Sequence, residues 1–399
     1  MSRIVRFTPV GLSVLALCAA CGGGGGSSAG PSPPPPPPPP ASLGCPAIPA
    51  STQPADSLAG IVDSAALAEV SAQRLPGLTI AVAKQGVVLY SHAYGYADLA
   101  TCRQMQVGDP MQIGSVTKQF TAASVLQLEE RGLIDLDHTV ASYLPAYPFD
   151  SRITVRMLLN QTSGMPDYIY FPSLQQYALT GGAESIGLDA ISHAALLFIP
   201  GTAHMYSNSN YFVLGSIIEA VSGVSYADYL TAHVYPLAGI SHTTYLQPSN
   251  SASPYGNPLN GDPFAGQIEH PSVNFAAGQL WSTVEDLAEW DDAWLTSKIV
   301  SQASIDLMIT PAPVPYYQPA GIPSDYGMGW ITHADISGHK FIWHNGLTSS
   351  YSAFNGVLMD TGFTVTVLTN YTVGEEQIFL PLAEKLVRTI CTTPAAGGC

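Results

Sequence analysis

The residues of this sequence best suited to covalent chemistry are a serine and a lysine three positions apart, Ser115 and Lys118. Gly114 precedes the serine, and an apolar-periodic stretch runs from it to Arg131-Gly132, a typical helix end. Because residues three apart share one face of a helix, the two side chains are predicted to be neighbours. A serine hydroxyl is a weak nucleophile that needs an adjacent base, and a desolvated lysine can serve once it has lost its proton. The pair therefore predicts acyl transfer through a covalent intermediate.

A second Ser-x-x-Lys pattern, Ser337 to Lys340, has a different context. Ser337 stands beside Gly338 in a predicted turn that enters an extended strand. Residues three apart on a strand point to opposite faces, so these two side chains cannot cooperate. The alternative for the first pair is a capping serine with a solvated lysine. That alternative is disfavoured, because a lysine on the apolar first turn of a buried helix is costly unless it is paired or functional.

Two further short motifs complete a candidate site. Tyr206-Ser207-Asn208 precedes an apolar stretch over 212–221 that is predicted to be a helix. Trp343-His344-Asn345-Gly346 falls on a predicted strand near the end of the chain. Tyrosine, asparagine and histidine side chains can exchange protons or hydrogen-bond a reacting group, so we predict that both motifs meet the serine and the lysine.

In this order the three elements resemble those of the serine β-lactamase and penicillin-binding protein superfamily. The branch most similar to this sequence holds class C β-lactamases, D-aminopeptidases, DD-peptidases and related esterases. The likeness runs from about Leu58 to Arg388. It includes four further segments, namely residues 157–166 (MLLNQTSGMP), 276–287 (AAGQLWSTVEDL), 326–330 (YGMGW) and 367–370 (VLTN). The resemblance implies a serine hydrolase with a β-lactamase/transpeptidase-like fold.

The resemblance also implies a role for each catalytic residue. Ser115 is expected to be the nucleophile, with Lys118 and Tyr206 sharing its proton. Asn208 is expected to bind either the substrate amide or the lysine. The backbone N–H groups of Ser115 and Leu347 are expected to form the oxyanion hole, in which one donor is worth roughly 10²–10³ in turnover.

The third element departs from typical β-lactamases, which carry lysine at the position of His344. Histidine there is found in peptidase- and esterase-like relatives, so the implied substrate is an amide or ester of the β-lactam or D-amino-acid peptide class. An imidazole titrating near pH 6.5 predicts weak hydrolysis of carboxylate-bearing β-lactams that improves toward pH 6. Asn345 and Gly346 are expected to contact substrate, with Gly346 letting it approach the backbone closely. A second departure is Asn160-Gln161, where Thr-His is more usual.

Strand and helix patterns surround these motifs. A hairpin is predicted over residues 78–90 and onward, and strands over 340–343, 352–359 and 363–369. Helices are predicted over 55–73 and 375–390, with a long stretch of helices and loops between the early and late strands. The fold class is therefore α/β (α+β), an antiparallel sheet flanked by terminal helices with an inserted, mainly helical subdomain.

The amino-terminal residues predict export. Two arginines precede a short apolar stretch, so residues 1–20 are interpreted as a signal peptide. The segment Leu17-Cys18-Ala19-Ala20-Cys21 resembles a bacterial lipoprotein box, which predicts a lipidated Cys21 and a periplasmic protein anchored in the outer membrane. An ordinary signal peptide cut nearby is the alternative. Residues 21–44 form a Gly- and Pro-rich tether, 45–392 the catalytic domain and 393–399 a tail.

Composition restricts the partners. The formal net charge of −16 argues against nucleic acid and against a basic membrane-binding patch, so membrane association is expected only through a lipid anchor. The sequence contains neither His-Glu-x-x-His nor Gly-x-Ser-x-Gly, and no metal or other cofactor is implied. The expected partner is a small-molecule or peptide substrate, peptidoglycan-derived if the protein acts on the cell wall.

Two matters stay open at the level of sequence. Once the signal is removed and Cys21 is acylated, Cys45, Cys102, Cys391 and Cys399 remain, and three pairings are possible. The function also has two alternatives, a lipid-anchored carboxylesterase of the same fold and a catalytically silent cell-wall binding protein. The complete set of motifs argues against the silent protein.

Overall fold

The computed structural model describes residues 45–393 except 74, 176, 178, 257–263, 318–324, 337 and 373–378. Several predicted features lie outside the described residues: the signal segment 1–20, Cys21 and the tether 21–44, Ser337, and the tail from 394 onward with Cys399. Over the described ranges, no helix combines the length and the apolar character that crossing a bilayer requires.

The strands build one large antiparallel sheet and two small ones. In chain order they are β1 (Gly77–Lys84), β2 (Val87–Asp98), β3 (Arg103–Gln104), β4 (Met111–Gln112), β5 (Tyr255–Gly256), β6 (Phe264–Ala265), β7 (Trp281–Ser282), β8 (Ile331–Ile336), β9 (His339–Leu347), β10 (Ser352–Leu358) and β11 (Phe363–Thr369). The large sheet has the order β3-β2-β1-β11-β10-β9-β8, while β4 pairs with β7 and β5 with β6. The early and late strands meet where β1 pairs antiparallel with β11.

The helices lie at both ends of the chain and in a long region between β4 and β8. They are α1 (Leu58–Gln73), α2 (Thr117–Glu130), α3 (Val140–Tyr143), α4 (Val155–Leu159), α5 (Pro172–Gln175), α6 (Ala183–Ser192), α7 (Asn208–Ser222), α8 (Tyr226–His233), α9 (Tyr235–Ala238), α10 (Pro271–Gly278), α11 (Val284–Leu295), α12 (Gln302–Met308) and α13 (Phe379–Thr392). Short 3-10 turns span Gly114–Val116 and Tyr168–Tyr170.

The sheet buries a separate apolar cluster on each face. The terminal helices α1 and α13 pack with β1, β10 and β11 in one cluster, which includes Val62, Ile80 and Leu386. The other cluster holds the helical region, with residues such as Phe120 and Trp290. The predicted fold class, an antiparallel sheet with terminal helices and a helical insertion, is confirmed.

Local sequence explains the central strands. Every residue of β10 and β11 is buried, as are all residues of β1 except Lys84, which fits strands covered on both faces. Gln85 and Gly86 both have positive φ, +50° and +75°, the backbone of a type I′ turn that joins β1 to β2. The short edge strand β3 and the strand β8 were not predicted, because neither shows a strong alternating pattern.

The described disulfide joins Cys45 to Cys102. It selects one of the three pairings that the sequence leaves open. Cys391 is disulfide-bonded as well. Both bonds agree with the interpretation of these cysteines as structural.

Candidate active site

Ser115 lies in the 3-10 turn that leads directly into α2. Gly114 begins this turn with φ +51°, a backbone conformation that favours glycine. A Cβ at Gly114 would stand only 2.6 Å from the backbone nitrogen of Leu347, so the position also has no room for a side chain. The sequence predicts a helix amino terminus here, and the structure adds one 3-10 turn before the α-helix starts at Thr117.

Lys118 is completely buried in the first turn of α2. Its Nζ donates hydrogen bonds to Ser115 Oγ at 2.8 Å, Asn208 Oδ1 at 2.7 Å and the carbonyl oxygen of Ala277 at 2.7 Å. An ammonium group has three protons, which these three acceptors match. The buried charge is therefore compensated by hydrogen bonds, which is the condition for placing a lysine in an interior.

Tyr206 approaches the same serine from the segment before α7. Its hydroxyl donates a hydrogen bond to Ser115 Oγ at 2.8 Å. Gln161 holds this segment, since its carbonyl oxygen accepts from Met205 N–H and its Oε1 accepts from Ser207 N–H, both at 3.0 Å. The sequence marks Gln161 as a departure from the related enzymes, and in the structure it supports the tyrosine.

Asp167 is a site residue that sequence reasoning missed. Its Oδ2 accepts a hydrogen bond from Asn208 Nδ2 at 2.8 Å, so carboxylate, amide and Lys118 ammonium form a continuous chain. Burial raises the pKa of Asp167, and the charge of Lys118 opposes that rise. Asp167 directly follows the quoted segment 157–166, and its Oδ1 also accepts from Ile169 N–H at 3.2 Å, a local turn contact that gives no sign of a role in the site.

The backbone of α10 supplies two acceptors to α2. Phe275 interrupts the helix with φ 38° and ψ −135°, a conformation that costs a non-glycine residue about 1–3 kcal/mol. Beyond it, the carbonyl oxygen of Ala276 accepts from Thr121 Oγ1 at 2.7 Å, and that of Ala277 accepts from Lys118 at 2.7 Å. No residue type in this segment signals the distortion, so the sequence could not reveal it.

The strand β9 runs against the turn that carries the nucleophile. A Cβ at Gly346 would overlap the carbonyl oxygen of Ile113 and lie 3.1 Å from Ser115 N. Glycine is thus required here so that the strand can approach the turn, whereas the sequence assigns it to substrate approach. The backbones of Ser115 and Leu347 are adjacent as a result, which is the arrangement that the predicted oxyanion hole needs.

His344 corrects an expectation from the sequence. The side chain is 1% exposed, with Nδ1 at 2.6 Å from the carbonyl oxygen of Asn345 and Nε2 at 3.1 Å from Tyr326 OH. Since a carbonyl only accepts, Nδ1 carries the proton and Nε2 accepts from the tyrosine. Burial, and next the charge of Lys118, lower the pKa of His344 to about 3. The prediction of an imidazole titrating near pH 6.5 is therefore wrong.

The serine opens into a cleft of about 980 Å³. We call the hydrogen-bonded group of Ser115, Lys118, Tyr206, Asn208 and Asp167 the floor. We call the outer lining residues Ile169, Tyr170, Phe171, Leu197 and Glu269 the rim. His344, Asn345 and Leu347 also line the cleft, and none of its described lining residues is a lysine or arginine.

In the described part of the chain, no group of three or more His, Cys, Asp or Glu side chains is arranged to hold a metal ion. The chemistry of the floor is that of a nucleophile between two proton carriers.

An antiparallel sheet with a helical insertion, and a serine flanked by lysine and tyrosine at their junction, define a class: serine hydrolases of the β-lactamase and penicillin-binding protein superfamily. A family model described as "Beta-lactamase" matches residues 62–387, and the chain belongs to that family. The relationship inferred from the motifs is confirmed, and the protein is a serine hydrolase of this superfamily.

Similar proteins include a penicillin-binding protein and two enzymes of known structure. The chain is 27% identical over 328 residues to "Penicillin-binding protein 4*" of Bacillus subtilis (strain 168), which covers 77% of this chain and 72% of the relative. The D-amino acid amidase from Ochrobactrum anthropi SV3, solved in complex with L-phenylalanine amide, superposes with a TM-score of 0.71 at 23% identity over 84% of this chain and 98% of that one. EstCE1, a hydrolase with promiscuous acyltransferase activity, gives 0.72 at 21% identity over 84% and 99%. At these identities the two structures show the shared fold.

Proposed function

We propose that this protein cleaves an amide or an ester through an acyl-enzyme on Ser115. The observation that carries the proposal is the geometry at the nucleophile, where Lys118 Nζ and Tyr206 OH both lie 2.8 Å from Ser115 Oγ. A positioned base and a second proton carrier are what a serine needs to become a nucleophile. A silent binding protein has no use for a buried lysine held in this way.

The reaction follows from these positions. Ser115 Oγ attacks the carbonyl carbon while its proton passes to the Lys118–Tyr206 pair. The carbonyl oxygen becomes an oxyanion that the N–H groups of Ser115 and Leu347 stabilise. The tetrahedral intermediate then collapses, and the pair returns the proton to the departing amine or alcohol. Water repeats these steps on the acyl-enzyme and releases the acid.

Within the pair, Tyr206 is the better candidate for taking the serine proton. The three acceptors around Lys118 Nζ suit an ammonium, which stabilises a developing alkoxide but has no lone pair to offer. The same Nζ lies 4.9 Å from the centre of the Tyr206 ring. A nearby positive charge makes it easier for the phenol to lose its proton. The phenolate so formed accepts from Ser115 Oγ, the reverse of the hydrogen bond in the neutral state.

The lining of the cleft favours some substrates of the proposed class over others. Because His344 is neutral and no described lining residue is a lysine or arginine, the lining offers no cation to the carboxylate of a β-lactam. The ammonium of Lys118 in the floor is buried and donates to three oxygens. Ester cleavage is a second candidate, supported by an apolar rim in which Ile169 is 44% and Tyr170 69% exposed.

Covalent labelling tests the nucleophile. A fluorophosphonate probe is expected to label the parent on Ser115, identified by peptide mass spectrometry, and Ser115→Ala is expected to abolish labelling. A fluorescent penicillin, used in parallel, reports whether β-lactams acylate the same residue. Ser337→Ala is the matched control and should label like the parent. Equal labelling of Ser115→Ala and the parent would show that another residue is the nucleophile.

We further propose that the chain is exported and anchored through lipid on Cys21, acting on cell-wall-derived or other small substrates in the periplasm. The support is the segment Leu17–Cys21, the Pro-rich tether after it and a net charge of −16, which disfavours direct binding to anionic lipid. Mass spectrometry of protein purified from its native membranes should find an acylated Cys21 at the amino terminus. An unmodified amino terminus on that material would refute the anchor.

A further inference from the structure

Glu269 is an acidic residue of the rim whose side chain is not used by the floor. It lines the same cleft as Ser115 and directly precedes His270, the residue that caps α10. Its Oε2 is buried and has no hydrogen-bond partner among the described residues. A buried carboxylate oxygen without a partner is costly, so such an atom in a substrate cleft points to a donor supplied by the ligand.

Asn274, on α10, carries a second unpartnered group in the cleft. Its Nδ2 is buried and makes no hydrogen bond to the described residues. The described lining of the cleft thus presents an unpartnered acceptor on Glu269 and unpartnered donors on Asn274 and on Trp343, whose Nε1 is also buried without a partner. A protonated amino group is a donor that matches the Glu269 acceptor, while the scissile carbonyl oxygen of the same substrate is received by the N–H groups of Ser115 and Leu347.

The charges around Glu269 select the kind of donor. The other described carboxylate that lines the cleft is Asp167, and both acids help to raise the pKa of Tyr168, after burial as the main cause. The Tyr168 hydroxyl donates to the carbonyl oxygen of Val273, not to Glu269. Lys118 of the floor donates to Ser115 Oγ, Asn208 Oδ1 and the Ala277 carbonyl oxygen. An anionic ligand would be repelled here, while a cationic one would be attracted.

We propose that Glu269 binds a protonated amino group of the substrate, so that the enzyme prefers amides and esters of amino acids, or peptides, with a free amino terminus. The inference deepens the proposed acyl transfer at Ser115 and rests on it. An ammonium donates charge-assisted hydrogen bonds to a carboxylate, which are about twice as strong as neutral ones. The exposed apolar rim residues Ile169, Tyr170 and Leu197 provide a surface for the substrate's side chain.

A matched pair of substrates tests this assignment. Phenylalanine p-nitroanilide and its N-acetyl derivative, each as D and L enantiomers, are compared at pH 6.5 with the parent, Glu269→Gln and Glu289→Gln. Glu289 is an exposed acid on α11 that does not line the cleft, so it controls for net charge. Glutamine keeps the shape of glutamate and removes the charge.

The parent should favour the free amine of the preferred enantiomer by about tenfold or more in kcat/KM. Glu269→Gln should lose about tenfold on that substrate and stay within twofold on the N-acetyl derivative. Glu289→Gln should match the parent on both. A parent that favours the N-acetyl substrate, or a Glu269→Gln variant that keeps the full preference, overturns the inference.

Labelling of Ser115 by the fluorophosphonate is measured on every variant. It separates the proposed role of Glu269 from the proposed acyl transfer at Ser115. Normal labelling and turnover of the N-acetyl substrate without preference for the amine would overturn the role of Glu269 alone. Loss of labelling in the parent, with neither substrate cleaved, would overturn acyl transfer at Ser115 and the amine site together.

Discussion

The floor and the rim of the cleft are built in different ways. In the floor, Lys118 is buried with three hydrogen bonds, and Asn208 links it to Asp167. In the rim, Tyr170 is 69% exposed, and Glu269 keeps an oxygen atom without a partner among the described residues. The groups that we assign to the reaction are therefore fixed by hydrogen bonds to one another. The rim groups keep exposed surface or an unpartnered atom that a substrate can use.

The largest effect should come from breaking the floor at its centre. Lys118→Met keeps the length of the side chain but removes the charge and leaves Asn208 Oδ1 and the Ala277 carbonyl without their donor. We expect kcat/KM to fall by roughly 10²–10⁴-fold, with acylation by the fluorophosphonate slowed in parallel. Lys340→Met, an exposed lysine on β9, is the control and should leave both rates unchanged. A Lys118→Met variant with near-parental acylation would contradict this account of the floor.

A smaller loss of activity is expected when Asp167, which holds Asn208, is changed instead of Lys118. Asp167→Asn removes the carboxylate that orients Asn208 and faces the charge of Lys118. We expect kcat/KM to fall by about 10–100-fold, which is the size of removing a hydrogen bond to a charged group. The basic limb of the pH profile should also move to lower pH, because the lysine ammonium loses a negative neighbour.

The pH profile distinguishes this positioning role from simple damage. A merely structural defect would lower activity at every pH without moving the limb. Asp189→Asn, an exposed acid on α6, serves as the control for net charge. If the pH profile of Asp167→Asn is not shifted, Asp167 does not act on the charge of Lys118 and contributes only to packing.

His344, which lines the cleft outside the floor, is also buried, and its protonation can be tested through the stability of the protein. Its pKa is lowered to about 3, so between pH 6.5 and 3 the unfolded chain binds a proton that the folded chain does not. Stability should therefore fall as the pH falls through this window, by at most about 1.4 kcal/mol per pH unit for this group. Urea unfolding of parent and His344→Gln at pH 7 and pH 5 should show a smaller pH-dependent loss in the variant. Parallel losses would indicate that His344 is protonated in the folded state.

The smallest effect is expected at the rim. Tyr170→Ala removes an exposed aromatic side chain that lines the cleft, so it should raise KM a few-fold for substrates with large apolar groups and leave kcat nearly constant. Leu179→Ala is a matched control, because Leu179 is 56% exposed but does not line the cleft. If kcat falls along with the rise in KM, Tyr170 also stabilises the transition state. The rim would then act in the reaction itself, as the floor does.

Sequence was sufficient where the chemistry depends on spacing along the chain. Ser115 and Lys118 are neighbours because a helix brings positions three apart together. Stretches rich in apolar and β-branched residues likewise predicted strands at the positions of β1, β10 and β11. Sequence was insufficient where a property depends on distant contacts. The protonation state of His344 is set by burial against Tyr326.

Two further features of the site were beyond sequence reasoning for related reasons. Phe275 has φ 38° within α10, although phenylalanine itself has no preference for positive φ. Asp167 reaches Asn208 across 41 positions of the chain, while its local pattern indicates only a turn. Both depend on tertiary structure, which a single sequence does not display.

The disulfide between Cys45 and Cys102 has a mechanical consequence. It attaches the first described residue to the turn between β2 and β3, and residues 46–101, including α1, lie inside the closed covalent loop. A pulling force applied to the chain ahead of Cys45 would therefore pass into the edge of the sheet without peeling α1 away from it. The strands that hold the nucleophile's turn, β9 and β10, lie on the other side of the sheet centre from that point of attachment.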